Sequence, residues 1–175
     1  MSHARWIEIE ADLESATGHF SKAVQLYERG GFDSAGLDGY AATMAFLHSM
    51  QSGHTSLESG LKRILKILGE ELPIGDRWHE DLINRVAREI GGERPAILDA
   101  ETAQHAHETR RFRNLASHGY EVFRAHEAQK SGAAARALAD RMLPARPSGR
   151  CGLCQRRGGS VIVDELFTQN CSVLS

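Results

Sequence analysis

The stretch WIEIEADLESATGHFSKAVQLY, running from Trp6 to Tyr27, places its apolar residues at Trp6, Ile9, Leu13, Ala16, Phe20, Ala23 and Tyr27. Steps alternating between three and four residues keep one face of an α-helix apolar, so this segment predicts one long helix with a heptad-like stripe to bury. Gly30-Gly31 marks its end. A second stripe follows at Tyr40, Met44 and Leu47, and after a polar interval at Leu57, Leu61, Ile64 and Leu68, which predicts a helix from about Ser34 to Leu68. Its middle has two readings. Gly53 followed by Thr55-Ser-Leu-Glu58 is either a capping box that restarts the helix or a weak point in a continuous one.

Farther along, Pro73-Ile-Gly-Asp76 breaks the pattern, and Asp76 is suited to cap a short helix carrying Trp78, Leu82, Val86 and Ile90 up to Gly91-Gly92. Asp99 is expected to cap a further long helix whose inward stripe is Phe112, Leu115, Ala116, Gly119 and Phe123. An alanine-rich helix over about Gly132 to Leu143 completes the set. Only Ser160 to Val163 has any strand character, and it is too short and isolated to build a sheet. The expected fold is all-α, an up-and-down bundle of four to five helices over residues 1–143, with 144–175 as a flexible tail.

A chain of 175 residues is long enough for one domain with a sizeable core. Its net charge of -2 argues against a broad phosphate-binding surface, so any nucleic-acid contact has to be local. Local basic clusters exist at Arg110, Arg111 and Arg113, and at Arg146, Arg150, Arg156 and Arg157. No apolar run reaches the roughly 20 residues of a membrane span, and the acidic start with Glu8, Glu10 and Asp12 is unlike a signal peptide, so a cytoplasmic location is expected. All three cysteines, Cys151, Cys154 and Cys171, fall in the tail, which leaves the main body to be stabilised by packing.

The chemistry concentrates in Arg113-Asn-Leu-Ala-Ser-His-Gly-Tyr120. With the Phe112 to Phe123 stripe turned inward, Arg113, Asn114, His118 and Tyr120 fall on the opposite and flanking faces. Asn114 and His118 are spaced to touch, whereas Arg113 and His118 lie about 140° apart around the axis at about 100° per residue. They converge only if the helix bends, which Gly119 permits, or if a second copy contributes. Arginine and histidine suit RNA cleavage without a metal. A neutral His118 takes the proton of a ribose 2′-hydroxyl, the alkoxide attacks the adjacent phosphate, and Arg113 holds the oxygens on which charge builds, leaving a 2′,3′-cyclic phosphate. Asn114 would orient the backbone or His118, and Tyr120 would stack on a base or bond the phosphate. The plain alternative is a solvated helix face with an incidental histidine.

Arginine, four residues, histidine, any residue, tyrosine is the signature of HepT-like toxins in the HEPN superfamily of helical ribonucleases, and Arg113, His118 and Tyr120 fit it, with Asn114 as a companion. Leu57-Glu58 with Leu61 to Leu65, Pro73-x-Gly75, Trp78-His79, Leu82, Arg94-Pro95 and Arg111-Phe112-Arg113 resemble one branch of these domains in the same order, over roughly Ile7 to Leu143. The resemblance implies a homodimeric endoribonuclease toxin acting on RNA. It also implies an MntA-like nucleotidyltransferase antitoxin that adds AMP to the motif tyrosine, here Tyr120. Bulk and negative charge beside Arg113 would then repel the RNA backbone. A second reading keeps the motif as a surface of a non-catalytic helical module that binds a nucleotidyltransferase.

Other residues invite plainer roles. Trp78 reads as a core anchor, and His79 as structural rather than a ligand. His105 and His107 read as surface residues. The pairs His105/His107 and His48/His54 lack metal-site spacing, so neither metal nor cofactor is expected. The acidic run Glu8, Glu10, Asp12 and Glu14 suits a solvated helix start. Cys151-Gly-Leu-Cys154 is at most half a zinc site with only Cys171 as a third ligand, and the Gly- and Arg-rich tail around it reads as disordered.

Overall fold

The computed structural model describes residues 3–118 and 125–142, and within them the chain is all helical apart from turns and one isolated bridge. Five helices follow in order: α1 (His3–Arg29), α2 (Leu37–Ile67), α3 (Trp78–Val86), α4 (Ala100–His118) and α5 (Ala125–Met142). The expected tail over 144–175 lies outside the described residues.

The α1 stripe behaves as its periodicity demands. Ile9, Leu13, Ala16, Phe20 and Ala23 are buried, and Trp6 and Tyr27 pack against the same core. Gly30, at φ 69°, ends the helix and returns its N–H to Leu26 O at 3.2 Å, a left-handed cap that favours glycine. The chain then doubles back. Asp12 meets Arg63 Nε at 2.7 Å, Ser15 meets Ser56 at 3.0 Å, Phe20 lies against Gly53 and Tyr27 against Phe46, so α2 runs antiparallel to α1.

Gly53 neither breaks nor restarts α2. The helix is continuous, and a Cβ at Gly53 would sit 2.8 Å from the Phe20 ring, so the glycine leaves room for a side chain of α1. Thr55 bonds back to Gln51 O at 2.9 Å as an interior helical residue, and Glu58 is buried, which rules out the capping box. Tyr40, expected on the stripe, is exposed, and the aromatic contribution of this end of α2 comes from Phe46. At the far end Gly69, at φ 74°, forms a Schellman cap with Glu70 N bonded to Leu65 O at 2.9 Å.

Helix α3 is shorter than its apolar pattern suggests. It ends at Val86, and Ile90 instead pairs with Arg94 in a tight turn through Gly91-Gly92. Its N-cap position is Arg77, without a side-chain bond, so Asp76 does not cap it. Asp99 caps α4 as expected, accepting from Thr102 N at 2.7 Å. Helix α4 crosses α2 with Phe112 edge-on to Phe46 at 5.3 Å, and runs beside α3 and α5. Helix α5 begins earlier than its alanine run implies and lays Ala128, Ala135, Leu138 and Met142 into the core. Among the described residues no helix is long and apolar enough to cross a membrane.

Candidate functional site

Arg113 lies in the last two turns of α4, and its position follows from the packing of Phe112. With Phe112 fixed against Phe46, the next residue is turned toward α3 rather than away from the bundle. This corrects the expectation that Arg113 avoids the interior, since its side chain is half-buried and its Nε atom is fully so. The backbone of Asn114 and His118 belongs to α4, but their side chains lie outside the described residues, and so does Tyr120.

From Arg113 a line of polar contacts runs into the core. Arg113 Nη1 donates to His79 Nε2 at 3.1 Å. A guanidinium cannot accept, so Nε2 must present its lone pair, and the His79 ring is neutral with its proton on Nδ1. That Nδ1–H donates to Glu58 Oε1. The same oxygen accepts from His54 Nε2 at 3.1 Å. His54 Nδ1 lies 3.0 Å from Thr109 Oγ1, whose single proton has both Ala106 O and the Nδ1 of a neutral His54 as acceptors. Three helices therefore contribute to the line: α2 gives His54 and Glu58, α3 gives His79, and α4 gives Thr109 and Arg113.

Burial makes these contacts obligatory. Glu58 is 3% exposed, and an ionised carboxylate there without partners would cost several kcal/mol. Burial alone would raise the Glu58 pKa, but the hydrogen bonds of His54, followed by those of His79, outweigh it and hold the carboxyl below its ordinary range. Burial also pushes the His54 pKa down against the opposing pull of Glu58, with the charge of Arg113 adding to the lowering. Both shifts favour a neutral His54 beside an ionised Glu58.

Trp78 stacks on His79 with ring centroids 3.5 Å apart, and Lys62 Nζ sits 4.4 Å above the Trp78 ring. Trp78 is thus only partly buried, and it sets the plane of its neighbour as well as packing on the core. Beside the site, a shallow groove between α3 and α4 is lined by Glu80, Gln104, His107, Arg110 and Arg111. Arg110 faces Glu80 at 3.4 Å. His107 donates from Nε2 to Asn84 Oδ1 at 3.1 Å, and His105 lies 3.8 Å from Glu101, so neither reaches Arg113. Among the described residues no His, Cys, Asp and Glu group is arranged to hold a metal ion. The His54–Glu58–His79 trio is closed on itself through one oxygen.

No single histidine in the sequence points to this line. The available signal was the i, i+4 spacing of His54 and Glu58, set in α2 between the apolar Met50, Leu57 and Leu61. A carboxylate on an apolar face has to find partners. That His79 would be one of them depends on how α3 docks, which local sequence does not encode.

No curated protein and no solved structure matches the chain. A family model described as HepT-like protein matches residues 45–145, more than half of the sequence and inclusive of the whole polar line and the Arg113 segment. On that match, the chain belongs to the HepT-like family.

Proposed function

We propose that this chain is a metal-independent endoribonuclease, the toxin of a toxin–antitoxin pair, and that Arg113 and His118 carry the reaction. The observation that supports this most strongly is the placement of Arg113. A half-buried guanidinium is anchored through a neutral histidine to a buried carboxylate, on the helix that also carries His118 five residues later. A guanidinium spreads five donors over three nitrogens. A bond from one of them to His79 fixes the plane in which the fork meets a phosphate, and a preset donor costs no reorganisation as charge develops.

In the proposed reaction His118 accepts the ribose 2′-hydroxyl proton, the 2′-oxygen attacks phosphorus, and the P–O5′ bond breaks. The leaving oxygen takes up a proton, giving a 2′,3′-cyclic phosphate and a 5′-hydroxyl. Arg113 stabilises the non-bridging oxygens, Asn114 orients His118, and Tyr120 positions the substrate. Because Arg113 and His118 are about 140° apart on one helix, a homodimer that pairs the α4 helices is the arrangement proposed to complete the cleft. Tyr120 is also the proposed point at which an MntA-like nucleotidyltransferase adds AMP and silences the toxin.

The test is cleavage of total tRNA in excess chelator by the wild type, beside Arg113→Ala and His118→Ala variants confirmed as folded by circular dichroism. Wild-type fragments ending in cyclic phosphate, with the rate reduced by roughly a factor of 10² to 10⁴ in His118→Ala, are expected. If no RNA is cut while a nucleotidyltransferase partner still binds, the chain is a non-catalytic binding module instead.

A further inference from the structure

Nothing in the reaction above requires Glu58 or His79, yet both are built into the support of Arg113. We propose that His79 is a positioning residue for Arg113, and that Glu58 acts through it by holding the His79 ring in the Nδ1–H form. The inference rests on the ribonuclease reading and adds two residues to it.

Three observations carry it. The first is directional: Arg113 can only donate, so the contact to His79 exists only while Nε2 is an acceptor. The second is the Glu58 carboxylate, which can only accept and therefore keeps the ring proton on Nδ1, the nitrogen away from Arg113. The third is rigidity. His54 braces Glu58 from the other side, and Trp78 stacks on the His79 face, so the ring has little freedom to rotate. Both ring nitrogens are committed, and the outer one faces the cation of the motif. The arrangement also transmits charge, because a neutral imidazole between a buried carboxylate and a guanidinium lets Glu58 bias the orientation of Arg113 without touching it.

The variants that separate positioning from folding are His79→Asn and His79→Gln. An Asn amide reaches only as far as Nδ1, so it retains a donor toward Glu58 and loses the acceptor for Arg113. A Gln amide reaches the position of Nε2 and restores an acceptor. Steady-state cleavage of tRNA is measured for both, together with Arg113→Ala and Glu58→Gln, and histidine ring ¹⁵N shifts are recorded to assign the His79 tautomer.

The wild type is expected to show the Nδ1–H form of His79, and Glu58→Gln to weaken it. His79→Asn is expected to lower kcat by roughly 10- to 100-fold, the scale on which a small misplacement of a reacting group acts. KM should stay nearly unchanged and His79→Gln should recover part of the loss. A wild-type His79 in the Nε2–H form overturns the proposal, as does full activity of His79→Asn when Arg113→Ala is inactive. If the wild type cuts no RNA, or if Arg113→Ala cuts as well as the wild type, the ribonuclease reading itself fails and the positioning role falls with it.

Discussion

At the scale of single residues, the most consequential feature is that one carboxylate oxygen, Glu58 Oε1, serves two histidines in a place closed to water. Each partner removes part of the cost of burying the charge, and the buried His54–Glu58 pair becomes a point of sensitivity to acid. The sign follows from linkage. His54 has its pKa lowered from 6.5 on folding, so below that value the unfolded chain takes up a proton that the folded chain resists. Glu58 is lowered from 4.5, so it adds a second loss as pH falls below that value. Both act in one direction, and thermal unfolding followed by circular dichroism should give a Tm that declines from pH 7.5 to pH 5 and falls faster below 4.5. The His54 contribution is bounded by about 1.4 kcal/mol per pH unit for one proton. A Tm that is flat between pH 7.5 and 5 would show that His54 takes up its proton at the same pH in the folded and the unfolded chain.

Among the elements, α1 and α2 illustrate how a local preference is overruled by packing. Alanine is favoured over glycine in a helix interior by about 1 kcal/mol, so Gly53→Ala would stabilise an isolated α2. In the bundle the added methyl would stand 2.8 Å from Phe20 Cδ1 and Cε1, and Phe20 is fully buried, so a core side chain would have to shift. Overpacking of this kind costs about 1–3 kcal/mol, which outweighs the helical gain. Urea unfolding of Gly53→Ala should therefore show a net loss. Combining it with Phe20→Leu should cost less than the sum of the two changes, because the smaller side chain vacates the space. An additive result would place the close approach elsewhere. The ion pairs of Arg63 with Glu8 and Asp12 also join these helices, but they are exposed and contribute at most about 1 kcal/mol each.

Over the whole molecule, the position of α3 decides whether the polar line exists, and Arg94 does much to hold α3 in place. Its guanidinium pairs with Glu70 just beyond the Schellman cap of α2. It also donates to Arg85 O at 3.0 Å, Arg88 O at 2.9 Å and Pro95 O at 3.0 Å, covering carbonyls at the end of α3. Arg85 reaches the same Glu70 at 3.1 Å, and Glu70 is held below its ordinary pKa first by Arg94. Removing a buried, hydrogen-bonded cation of this kind costs about 3–5 kcal/mol. Arg94→Ala should lose stability at the low end of that range, since Arg85 remains for Glu70. Arg94→Lys should recover little, because a point charge cannot serve a carboxylate and three carbonyls at once. Equilibrium denaturation of both variants checks this, and full rescue by lysine would reduce the role of Arg94 to charge alone. What the sequence by itself determined is what depends on near neighbours: the apolar periodicity of α1, the glycine stop at Gly30, the Asp99 cap, the all-helical class and the location of the Arg113 segment. Only the tertiary structure decided that Gly53 is a contact rather than a break, that Glu58 is a buried acceptor rather than a cap, and that Arg113 turns toward His79. Each of these joins residues at least 21 positions apart on different helices. The energy that settles them, exclusion of overlap and satisfaction of a buried charge, arises only once those helices have docked.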